Sequence, residues 1–224
     1  GNNSDSNNSN NNSGNNSSHD GSNGSRNGNS NGLGRGLTLQ IGNGYNANAA
    51  LEAQGTPSNP VKWSTAAGFP NGRIVALTAP KKLSFQSVAF ENVGDAATPA
   101  ISAMISDANA GVFILNNSTF TGCGQIKVTA LGGMIAITRN TLRSPLATTE
   151  IQIPDSGGTP IVKLADNVAT RRIEIHAKEA AVIDNVIVGP QASLLVRGAG
   201  SKVEGNIVIR DAIDTNASAV ELSA

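Results

Sequence analysis

The chain has 224 residues, with 16 basic and 16 acidic side chains, only 14% charged residues and 3% aromatics. Zero net charge excludes the basic surface that displaces counterions from phosphates, so nucleic acid is not an expected partner. No apolar run approaches the length of a transmembrane helix, and a single cysteine, Cys123, excludes an intrachain disulfide.

The chain opens on a low-complexity segment. Of the first 32 residues, 28 are Asn, Ser or Gly, interrupted only by Asp5, His19, Asp20 and Arg26. Such a segment has no apolar face to offset an ordering cost of about 1–2 kcal/mol per residue. Residues 1–36 are therefore expected to form a flexible tether, spanning about 30 Å by random-flight scaling. Gly1 is preceded by no Met, and no signal peptide follows it, as expected of a processed protein or a fragment.

Residues 37–224 carry an irregular repeat: apolar, two unrestricted residues, Asn, any residue, apolar. It appears as Ile137-Thr-Arg-Asn140-Thr-Leu142, Leu164-Ala-Asp-Asn167-Val-Ala169, Val182-Ile-Asp-Asn185-Val-Ile187 and Val203-Glu-Gly-Asn206-Ile-Val208. Leu115-Asn-Asn-Ser118-Thr-Phe120 fits with Ser in the Asn place, and Phe85-Gln-Ser-Val88-Ala-Phe90 fits more loosely. The steps from Val88 onward are 30, 22, 27, 18 and 21 residues.

After each of the last five copies comes a short alternation: Ile126-Lys-Val128, Ile151-Gln-Ile153, Ile173-Glu-Ile175, Leu194-Leu-Val196 and Val220-Glu-Leu222. Period two predicts strands with one buried face. Turn residues such as Gly132-Gly133, Gly157-Gly158 and Gly189-Pro190 separate them. Repeats of this length, with several short strands each, predict a solenoid whose coils stack in parallel. Variation in coil length is expected in loops on one side, at Gly94–Pro99 and Ser144–Thr149. Ser118, Asn140, Asn167, Asn185 and Asn206 are expected to turn inward at a bend and to hydrogen-bond one another along the axis. Asn also tolerates the left-handed backbone that such bends use. Phe85, Phe90, Phe113 and Phe120 fall at inward positions.

Upstream, the segment Leu51-Glu-Ala53-Gln-Gly55-Thr56-Pro-Ser-Asn-Pro60-Val61-Lys-Trp63 resembles a phrase of bacterial secreted right-handed parallel β-helix repeat proteins. In those proteins it marks a strand, a Gly-Thr turn and the next inward strand. The Asn pattern resembles the asparagine ladder of the same pectate-lyase-like superfamily. The resemblance implies an all-β, single-stranded right-handed parallel β-helix over residues 37–224. The Asn/Ser/Gly spacer is similar to bacterial lipoprotein tethers, which implies a lipid anchor ahead of Gly1 and an extracellular or cell-surface location. The superfamily holds lyases, glycosidases, epimerases, tailspikes and surface proteins, so fold alone does not choose a function.

Aligning the coils gathers Glu150, Arg172, Glu174, His176 and Arg197 on one strand face, the densest polar patch of the chain. An ion-paired, solvated sheet face accounts for it. The functional alternative is a groove acting on an acidic polysaccharide. As the resemblance implies, a lyase would use Arg172 or Arg197 as base and hold Ca²⁺; a glycosidase would need two carboxylates, with Glu150 and Glu174 as the candidates. Asp166 and Asp184 stack just before the ladder Asn, either as solvated turn carboxylates or as a Ca²⁺ site. No cofactor is otherwise expected. Cys123 has no base beside it and reads as a small buried residue.

The scarcity of aromatics counts against a carbohydrate enzyme. The leading expectation is a non-catalytic surface module with a structural, adhesive or scaffold role, its partners a polysaccharide or another surface protein. The alternatives are a polysaccharide lyase or glycoside hydrolase, and a subunit that stacks end to end through an uncapped edge near Val220–Leu222.

Overall fold

A strand three to five residues long cannot bury its inner face alone, but it can when successive coils lay equivalent strands side by side about 4.8 Å apart. A computed structural model describes residues 31–33, 38–41, 45–46, 51–65, 74–76, 82–105, 111–143, 145–210 and 219–223. Among these residues there is no helix, and the strands form three parallel sheets, A, B and C, of eight strands each. The chain visits the sheets in turn. Val112–Asn116 lies in sheet A, Thr119–Thr121 in sheet B and Ile126–Ala130 in sheet C, and Met134–Thr138 returns to sheet A. The protein is a parallel β-solenoid.

The expected tether lies outside the described residues except at its end. Asn31–Leu33 is already a strand of sheet A, paired with Leu51–Ala53. The solenoid thus starts ahead of the boundary expected at residue 37.

Parallel register places like on like. On sheet C, Ile101, Ile126, Ile151, Ile173 and Leu194 form one inward column. On sheet B, Trp63, Phe90 and Phe120 are in register. Their rings stack with centroids 6.1 and 4.4 Å apart, and Phe85 meets Trp63 and Phe90 edge-on. The four expected phenylalanines all point inward and are buried. An aromatic pair of this kind is worth about 0.5–1.5 kcal/mol beyond the area it buries.

The three corners differ. Between sheets A and B the bend is residues 117–118, 139–140, 166–167, 184–185 and 205–206, two residues in each of these five coils, against residues 55–60 and the single residue 87 in the coils before them. Extra length goes to the other two corners: 92–100 and 144–148 between B and C, and 154–160 against 131–133 between C and A. The loops expected to absorb insertions, Gly94–Pro99 and Ser144–Thr149, do lie at the B–C corner, apart from Ser144, which is outside the described residues, but the C–A corner shares the task.

The second residue of each A–B bend is the expected ladder residue, and it does point inward. Asn140 donates through Nδ2 to the Leu115 carbonyl (2.9 Å) and to Asn167 Oδ1 (3.0 Å), and its backbone N–H reaches the same Oδ1 (3.0 Å). Asn167 repeats this with Ile137 and Asn185, and Asn185 with Leu164 and Asn206. Asn140 Oδ1 accepts from the Ser118 N–H, and the Ser118 hydroxyl accepts from the Val88 N–H. Asn140, Asn167 and Asn185 are buried with both amide ends satisfied, as buried polar groups must be. One expectation needs correction. The left-handed residue is not the ladder Asn but the one before it: Ser87, Asn117, Arg139, Asp166, Asp184 and Gly205 have φ of 50–63°. The reversed backbone there aims the next side chain into the core.

Removing one rung of this ladder exposes its importance. Asn167→Ala leaves the Asn140 backbone N–H and one Nδ2 hydrogen without an acceptor in a buried site, and should lower the unfolding free energy by about 3–5 kcal/mol in chemical denaturation. Asn167→Ser should cost less, because Ser118 shows that a hydroxyl can accept the incoming N–H. Equal tolerance of both replacements would contradict the ladder's role.

Candidate functional site

Sheet C carries the polar face. Along Arg172–His176, Ile173 and Ile175 point into the core, which leaves Arg172, Glu174 and His176 outward. Glu174 sits between the other two: Oε2 is 3.3 Å from Arg172 Nε, and Oε1 is 2.9 Å from His176 Nε2. Neither contact has hydrogen-bond geometry, so the attraction is that of close charges and dipoles. Arg197 lies opposite His176 in the next coil and pairs with Glu221, Nη2 to Oε1 at 3.1 Å. Four of the five expected residues thus share one face, and the one acid among them, Glu174, is engaged.

Glu150 is the exception. Thr149 pairs with Arg172 and Ile151 with Ile173, so Glu150 is an extra residue, a β-bulge. The bulge turns its side chain off the outer face, and Glu150 is 1% exposed. Its Oε2 accepts from the backbone N–H groups of Thr170 and Arg171, each at 2.7 Å, and its Oε1 from the Thr170 hydroxyl at 3.0 Å. Burial pushes the Glu150 carboxyl above its ordinary value, while those three donors and the nearby Arg171 charge pull it partly back. Glu150 therefore holds the B–C corner of the next coil and does not face Glu174 across a groove.

A second difference lies at Leu195. Its register with Glu174 puts it at the outward position of a strand that alternation leaves exposed on one face, yet it is 2% exposed. Asp166 and Asp184 are exposed at the A–B bends, in the left-handed positions. A β-carbon on Gly205 would lie 1.9 Å from Asp184 Oδ1, so a larger residue there would have to displace the Asp184 side chain. Among the described residues no third His, Cys, Asp or Glu joins these two carboxylates in a metal-holding group. Cys123 is buried against the Phe90 and Thr121 carbonyls, and burial pushes its thiol up to about 11, far from a nucleophilic thiolate.

One feature escaped sequence reasoning. A shallow groove of about 270 Å³ runs along the B–C corner, lined by Thr148, Thr149, Arg172, Gln191, Ser193 and Arg210. Of these, only Arg172 and Ser193 belong to the aligned columns of sheet C. Thr148 and Gln191 are loop residues, Thr149 precedes the bulge, and Arg210 ends a sheet B strand. Their meeting depends on loop lengths that no repeat pattern encodes. The chain matches no protein-family model, no curated protein and no solved structure.

The Glu150 carboxyl also sets a pH dependence. A folded-state value above the unfolded one means that the fold binds the proton more tightly, so this group's contribution to stability is full below about pH 4.5 and is lost as pH rises through the raised value. Glu150→Gln keeps an acceptor for the two N–H groups and should flatten that part of the stability–pH curve. Glu150→Ala strands both N–H groups and should cost about 2–4 kcal/mol. Denaturation midpoints of the two variants across pH 4–8 would check this; an unchanged slope in the Gln variant would refute it.

Proposed function

We propose that the chain is a non-catalytic extracellular or cell-surface module, a rigid scaffold or adhesive element that the Asn/Ser/Gly segment spaces from its attachment. The reading rests on the fate of Glu150. A glycosidase needs two carboxylates about 5–9.5 Å apart across the scissile bond, and here one of the candidate pair is spent on backbone N–H groups inside the fold. The other, Glu174, is held between Arg172 and His176. The described aromatic side chains agree: Trp63, Phe85, Phe90, Phe113 and Phe120 fill the core, where no sugar ring can stack on them. Arg197, the second candidate base of a lyase, is paired to Glu221.

The full chain, incubated with acidic polysaccharides with and without Ca²⁺, should release neither unsaturated uronate absorbance nor reducing ends above the background of a heat-denatured sample. Release of either product, abolished in Arg172→Gln or Glu174→Gln, would replace this reading with a lyase or a hydrolase.

A further inference from the structure

We draw no further inference here: the strongest candidate, the apolar surface patch that Val168, Val186, Val188, Ile207 and Ile209 form on the outer face of sheet B in three successive coils, carries nothing because nothing in the structure shows what covers it.

Discussion

The column of side-chain amides from Asn140 to Asn206 is the interaction on which the rest of this solenoid depends. From Asn167 to Asn206 each Oδ1 accepts two donors from the preceding coil, and from Asn140 to Asn185 each Nδ2 reaches both that coil's backbone and the next amide. This demands that the A–B bend place its second residue at the same depth in every coil of the ladder, and from 117–118 to 205–206 the bend never changes length. One buried, fully satisfied polar column thus fixes the register of three sheets, since a slip by one residue would point every inward side chain at solvent. It also explains why insertions in the ladder coils occur elsewhere, while the A–B corner ahead of the ladder is longer, at residues 55–60. An added residue at the A–B corner would break several buried hydrogen bonds, whereas residues 92–100 or 154–160 can lengthen without disturbing a single ladder contact.

Glu150 solves a related problem at a different corner. Where sheet B passes to sheet C there is no Asn column, and at Thr170–Arg171 two backbone N–H groups face inward with only a carboxylate to receive them. The bulge in the preceding coil delivers that carboxylate. The logic is the same as in the ladder: a side chain from one coil accepts the backbone donors of its neighbour. The chemistry differs, because an amide is neutral and a carboxylate must be desolvated, and this is why burial pushes the Glu150 carboxyl upward.

How far the fold could be read from the residues follows from this contrast. The ladder repeats, so its Asn residues, flanked by apolar positions at constant spacing, announce both the bend and the strands around it. The inward phenylalanines follow from the same alignment. Glu150 does not repeat. Aligned by spacing alone it falls beside Gln125 and Arg172 on the outer face, and only the register shift at Thr149 and Ile151 reveals that it has left that face. The left-handed residue was likewise assigned to the Asn on general grounds of tolerance, yet the backbone needs the reversal one residue earlier, where Asn117, Arg139 and Asp184 accept it despite their unlike chemistry. Periodic positions are legible because many copies vote; single positions are settled by local geometry.

The same distinction bears on where a solenoid can acquire a ligand site. A face built from in-register strands presents the repeat itself, and here its charges neutralise one another, Glu174 with Arg172 and His176, Arg197 with Glu221. The B–C corner is free of the ladder's constraint, so its loops differ from coil to coil and can bring together groups such as Thr148, Gln191 and Arg210 that share no repeat position. Those loops remain well placed only because the coils beneath them cannot slide. Rigid stacking at one corner is therefore what allows irregular, chemically distinct loops at another to hold a fixed arrangement of side chains.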